Sequence, residues 1–176
     1  MKRLVWIVMV MLFWSVSTVA AAELKVGDRA PDFRLKDSLG KEYTLNSPEL
    51  KGRVVYFNYS DPGSKDMNKH VDDALKLDKG LDRKKSYVGF GIANMKASFL
   101  PDFAIAKIVK SKQQETGAVI FLDDNYIILN AWGLTNKVSN VVVLDKDRIC
   151  RYIYKGRVPS AEMTKLIQII KEYQVK

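Results

Sequence analysis

The sequence predicts an α/β domain with a mixed central sheet flanked by helices and an N-terminal β-hairpin ahead of it. Three observations carry that prediction. Short apolar runs rich in β-branched and aromatic residues, such as "VVYF" and "VVVL", read as strands buried on both faces. Stretches with apolar residues at the helical period separate the earlier runs, and a crossover helix makes the strands it joins parallel. The last two strands follow one another with only a turn between them, so they pair antiparallel.

Each element has its own signal. "DFRL" and "EYTL" flank "KDSLGK", where Gly40 supplies the turn of the early hairpin. Residues 53–58 form the first central strand, and "SDPGS" ends it, because Pro62 and Gly63 are strong chain breakers. Ser64 is expected to cap a helix over 64–79, with Met67, Val71, Ala74 and Leu75 as its buried stripe. Residues 86–94 make the second central strand. Ser98, with Pro101 just inside, starts the next helix, whose inner face would be Phe103, Ala104, Ile108 and Val109. "AVIFLDDN" is the third strand, closing in an acidic turn at Asp123 and Asp124. "NVVVLDKD" and "ICRYIYKG" form a hairpin turning at 145–147. Ser160 caps the final helix, where Met163, Leu166, Ile167 and Ile170 share one face.

The first residues read as an address rather than a fold. Lys2 and Arg3 precede an apolar run over 4–14, and small residues follow through Ala20 and Ala22. A charged start, a short apolar run and a small-residue exit describe a cleavable export signal. Cleavage after Ala22 would leave 154 of the 176 residues, in one domain without a linker or repeat. The rival is an uncleaved anchor, the one route to a membrane here, but the run falls short of the roughly 20 apolar residues a span needs. Loss of Lys2 and Arg3 lowers the formal charge from +9 to +7. On an exported chain that balance points to headgroups, wall polymers or acidic partners, and not to nucleic acid. The basic run "KLDKGLDRKKSY" reads as a solvated helix end and loop. Cys150 is the single cysteine, so no intramolecular disulfide forms. In an alternating run it reads as a small buried side chain, with a reactive or intermolecularly paired thiol as the alternative.

"VGDRAPDFRLKDSLGKEYTL" followed by "LKGRVVYFNY" resembles the opening of the peroxiredoxin and thiol-disulfide oxidoreductase branch of the thioredoxin-like superfamily. Gly27, Ala30, Pro31 and Phe33 carry that pattern. "NAWGLTNKVSNVVVLDKD" and the closing helix are similar to a narrower group, the YtfJ-like periplasmic proteins. The resemblance implies a thioredoxin-like fold and a periplasmic address. It also implies where redox chemistry would sit: Gly63 and Asp66 stand about where the two cysteines of the relatives fall, and Ser139 stands near their cis-proline. Neither Gly63 nor Asp66 can attack a disulfide, and a serine has no reason to adopt a cis bond. The thiol machinery is missing at both places.

Other chemistry finds little support. A serine nucleophile needs a neighbouring base, and His70, six residues beyond Ser64, falls on another helix face. His70 lacks partners at metal-ligand spacing and is expected to face solvent, so no metal or cofactor is expected. Asp61, Asp123, Asp124, Asp145 and Asp147 read as turn formers rather than calcium ligands. Trp132, Gly133, Tyr59 and Tyr126 could line a surface groove or pack in the core, and both readings stay open. The start of the 64–79 helix, with Lys65 and Lys69 beside it, could attract an anion. The expectation for function is an exported scaffold without catalytic residues that binds an envelope protein or peptide. Its contact surface would be Tyr59, Asp61, Pro62, Gly63, Ser64 and Asp66, with Ser139 and Asn140. The alternative is an oxidoreductase or peroxidase acting through Cys150.

Overall fold

The computed structural model describes residues 23–97 and 100–176. The expected signal at 1–22 and Ser98 lie outside them. The described residues form β1 (Leu35–Asp37), β2 (Glu42–Tyr43), β3 (Val54–Ser60), α1 (Lys69–Leu77), β4 (Tyr87–Asn94) and α2 (Asp102–Thr116). These are followed by β5 (Ile120–Asp123), α3 (Ile127–Ala131), β6 (Asn140–Leu144), β7 (Cys150–Lys155) and α4 (Ser160–Val175). The strands make one sheet in the order β2-β1-β5-β4-β3-β6-β7. α1 and α2 are the crossovers that make β3, β4 and β5 parallel. β6 joins β3, and β7 joins β6, antiparallel, as does the β1–β2 hairpin on β5. The architecture is therefore the mixed sheet expected, with its hairpin on the β5 edge.

Strand alternation sorts the core into two faces. Phe57 and Tyr59 of β3, Phe90 and Ile92 of β4, and Phe121 of β5 meet Phe33 and Trp132 in one large cluster. On the other face, Val54, Tyr56, Val141 and Val143 lie under Val71 and Leu75 of α1 and Leu166 and Ile170 of α4. A separate, small cluster of Met95, Ile105 and Val109 holds α2. A bulge in β7, where Val143 faces Tyr152 but Leu144 faces Cys150, leaves Arg151 extra. It turns Cys150 into the aromatic face while Tyr152 stays on the helical one.

The structure departs from the sequence-based expectation at helix boundaries. α1 begins at Lys69, not Ser64, because residues 62–68 are spent in successive tight turns. Pro159 occupies the cap of α4 and Ser160 is its first helical residue, with no side-chain cap bond. The inner face of α2 is Ile105 and Val109, whereas Phe103 is 77% exposed and Ile108 46% exposed. Only the short side of β5 and Ala93 lie beneath α2, too little surface to bury the wider stripe expected.

Candidate functional site

The turn that follows β3 is the place where a thioredoxin-like chain would carry its chemistry, and its geometry follows from Asp61. Asp61 Oδ1 accepts the backbone N–H of Gly63 at 2.7 Å and of Ser64 at 2.9 Å, while the Asp61 N–H donates to Ser64 Oγ at 3.2 Å. This reciprocal arrangement uses the Ser64 hydroxyl backwards, so it cannot cap a helix ahead of it. Three-residue turns then run from Asp61 to Ser64, Ser64 to Met67 and Asp66 to Lys69. The helix start expected at Ser64 as an anion site is accordingly absent. Lys69 is paired with Asp73 at 2.5 Å.

Beneath the turn lies a chain of buried polar side chains. Asn68 donates to Ser139 Oγ at 2.8 Å and to the Gly156 carbonyl at 2.9 Å, and its Oδ1 accepts the Val158 N–H at 2.9 Å. Ser139 donates onward to Asn58 Oδ1 at 2.7 Å, and Asn58 donates to Asp72 Oδ2 at 3.1 Å. Tyr56 donates to the other Asp72 oxygen at 2.7 Å. Burial pushes the Asp72 carboxyl up, against the lowering by its two donors. The chain ties α1, β3, the start of β6 and the 156–158 loop into one unit. Ser139 therefore works as a relay between Asn68 and Asn58, and no cis peptide bond occurs among the described residues. Asn140 holds the preceding loop through the Thr135 N–H and the Thr135 and Val138 carbonyls.

Burial divides the residues expected to form a contact surface. Tyr59, Asp61, Ser64, Ser139 and Asn140 are buried, which corrects their place: they are the frame of the turn and not its outer surface. Pro62 is half-buried, and Gly63 and Asp66, with Lys65 between them, are exposed. Tyr59 donates to Asp123, which burial and that carboxylate reinforce by holding the phenol well above its ordinary range. Asp123 itself accepts the N–H groups of Ile127 at 2.6 Å and Ile128 at 3.1 Å, so it caps α3 and is more than a turn former. Its position four residues before "IIL" was the available signal, hidden by the left-handed Tyr126 between them. Trp132 is fully buried against Phe33 and Phe57, with its indole N–H on the Pro31 carbonyl at 2.9 Å. The open choice between a surface groove and core packing thus falls to the core for Trp132 and Tyr59.

The other candidates for chemistry are far apart. His70 is half-buried, not solvent-facing, and its Nε2 lies 2.8 Å from the Val158 carbonyl, a contact that places the proton on Nε2. Cys150 is fully buried, its Sγ 3.5 Å from the Tyr152 carbonyl, and burial pushes its thiol up to about 11. Strand register sets Cys150 level with Leu144 and Val55. Five residues of β3, roughly 17 Å, separate that level from Ser60 at the turn. Among the described residues, no three His, Cys, Asp or Glu side chains converge as a metal site would require. No helix of the described residues is long and apolar enough to cross a membrane.

A family model described as a bacterial protein of unknown function (YtfJ_HI0045) matches residues 21–173. An uncharacterised protein of Haemophilus influenzae is 27% identical over 128 residues, 70% of this chain and 68% of the relative. Among solved structures, the exposed lipoprotein thioredoxin Etrx1 of Streptococcus pneumoniae superposes with a TM-score of 0.62 at 18% identity, over 81% of this chain and 99% of that one. A secreted thiol-disulfide isomerase of Corynebacterium glutamicum gives 0.60 at 15% identity, over 93% and 97%. At such identities the likeness is one of fold, and it makes this fold thioredoxin-like.

Proposed function

Because the chain belongs to the YtfJ_HI0045 family and keeps a thioredoxin-like fold without cysteine at the turn after β3, we propose that it is a non-catalytic binding protein of the cell envelope. The observation that carries this reading is the turn itself. Its frame is tied together by Asp61, Ser64, Asn68 and Ser139, and it presents Pro62, Gly63, Lys65 and Asp66 outward. A rigid backbone with few ordered side chains offers a partner a low entropic cost of docking. The positive start, apolar run and alanine exit of residues 1–22 support export. The similarity to an exposed lipoprotein and to a secreted isomerase supports the same address. An envelope protein or extended peptide is the partner this surface suits, at the end of the sheet where relatives carry thiols.

The test is recovery of envelope proteins on immobilised chain, compared between the wild type and the exposed variants Gly63→Arg and Asp66→Arg. Asp66→Arg leaves the buried frame in place, whereas a Cβ at Gly63 would stand 3.2 Å from Asp61 Oδ1, so matching denaturation curves must show that both variants are folded. The reading expects a partner held by the wild type and lost by both variants; equal recovery rejects it. The oxidoreductase or peroxidase alternative expects peroxide or disulfide turnover that Cys150→Ser abolishes. Such turnover would replace the binding reading.

A further inference from the structure

The face of the sheet opposite the aromatic cluster is not closed. A groove of about 590 Å³ runs between α1 and α2 along β4. That volume falls in the range of small-molecule sites, about 300–1,000 Å³. β4 has parallel neighbours on both sides, and parallel strands are ordinarily covered on both faces. Here Gly89 is exposed and Gly91 half-exposed, so the middle of the central strand contributes no side chain. A Cβ at Gly91 would stand 3.3 Å from Ile120, and one at Gly89 3.3 Å from the Tyr87 hydroxyl. Even a Cβ would press on these neighbours, so glycine keeps the floor of the groove flat. Ile105, Ile108 and Val109 of α2 form one wall and Leu75 of α1 part of the other.

The two ends of the groove differ in charge. At the Ala93 end, next to Ser60 in register, stand Asp61 and Asp66, with Lys65 between. At the Tyr87 end, Lys76 and Arg83 line the groove. Neither has a carboxylate within ion-pair distance among the described residues, although the Arg83 guanidinium is held to the Leu75, Asp78 and Leu81 carbonyls. Asp72, the acid of α1 that lines the groove, is taken up by the Tyr56 hydroxyl and the Asn58 amide. Lys112, from α2, lines the groove too.

We propose that this groove binds a single long acyl chain ending in an anion, its hydrocarbon over Gly89 and Gly91 and its head at Lys76 and Arg83. The six residue steps from Tyr87 to Ala93 give the floor a length of about 20 Å. A peptide is a poor occupant. Both edges of β4 are already paired, so no strand can be added to it, and the apolar walls would strand a peptide's polar groups. An acyl chain asks for no hydrogen bonds along its length. At the far end the two carboxylates of Asp61 and Asp66 outnumber the Lys65 ammonium, which favours the anionic head at Lys76 and Arg83. The groove shares Pro62, Lys65 and Asp66 with the proposed docking surface at its acidic end only, so changes at Lys76 and Ile108, elsewhere in its lining, test it separately.

The experiment is calorimetric titration of the protein, as recovered from the cells that make it, with dodecanoate, dodecyltrimethylammonium and acetate. Saturable one-to-one binding of dodecanoate is expected, with acetate silent and the cationic chain weaker by about tenfold or more. Lys76→Glu should reverse the preference between the two charged chains, and Ile108→Glu should weaken both by a similar factor. Both positions are exposed, so the fold tolerates the changes. Unsaturable binding overturns the proposal. Dodecanoate affinity unchanged in both variants also overturns it. Self-association that Ile108→Glu abolishes and dodecanoate leaves untouched would give the groove to a second copy instead.

Discussion

Along β4 successive side chains enter two unlike surroundings. Phe90 and Ile92 join a cluster in which Phe33, Phe57, Phe121 and Trp132 pack ring against ring, with centroids 4.8 to 6.4 Å apart. Gly89, one residue away on the opposite face, is exposed and Gly91 half-exposed, and both line the groove. The aromatic face is closed by the N-terminal segment, α3 and the hairpin, while the helical face is split into two clusters with the groove between them. The difference teaches where stability sits. The first face supplies the burial that holds the sheet together, which leaves the second free to stay open.

The largest expected effect lies on the closed face. Phe57 is fully buried and touches Phe33, Phe90 and Trp132. Phe57→Ala should cost about 3–5 kcal/mol, the range for emptying an aromatic site in a core. Ile108→Ser, on the rim of the groove, should stay within about 0.5 kcal/mol. Urea denaturation of both variants measures the contrast. Equal costs would mean that the helical face carries as much of the fold as the aromatic one, and the comparison would fail.

A smaller effect sharpens the seam between the open face and the turn. Asn68→Ala removes two donated bonds and one accepted bond, leaving Ser139, the Gly156 carbonyl and the Val158 N–H without that partner. Unsatisfied buried groups cost about 1–3 kcal/mol each, and water entering the space left by the amide can relieve part of this. A net loss of about 2–3 kcal/mol is therefore expected, again from urea denaturation. A loss as large as that of Phe57→Ala would show that water does not reach this seam.

Those two sites also mark how far the sequence could be read. Phe57 was legible, because an apolar run of β-branched and aromatic residues announces a buried strand whatever packs on it. So were the order of strands and the crossovers, which need only periodicity and turn residues. Asn68 was not legible. Its three bonds reach 71, 88 and 90 residues along the chain, and no local pattern encodes a contact at that distance. Ser64 misled for a related reason: a serine before an apolar stripe suits a cap, but Asp61 claims its hydroxyl first. The groove was hidden as well. Gly89 and Gly91 in "SYVGFGIAN" are its only local trace, and their meaning depends on where α2 comes to rest.

The smallest expected effect tests how tightly the closed face is sealed at its edge. Cys150 is carried into that face by the β7 bulge, and burial raises its thiol from the ordinary 9.0 to about 11. A raised pKa means that the folded state favours the protonated thiol. The stabilisation this provides is complete below pH 9 and is lost as pH climbs through about 11. Tyr152, pushed up to about 12, releases its proton later, so the lower part of the window belongs to the thiol. Stability measured across that window should fall more steeply for the wild type than for Cys150→Ala, and the two slopes should match below it. Aromatic disulfide reagents should label Cys150 in urea and leave it intact in the native protein at neutral pH, since a buried thiol offers neither access nor thiolate. Rapid native labelling, or a thiol that titrates near 9.0, would mean that this edge admits solvent as freely as the groove does. The two faces would then differ in degree, and Cys150 would return as a candidate for chemistry.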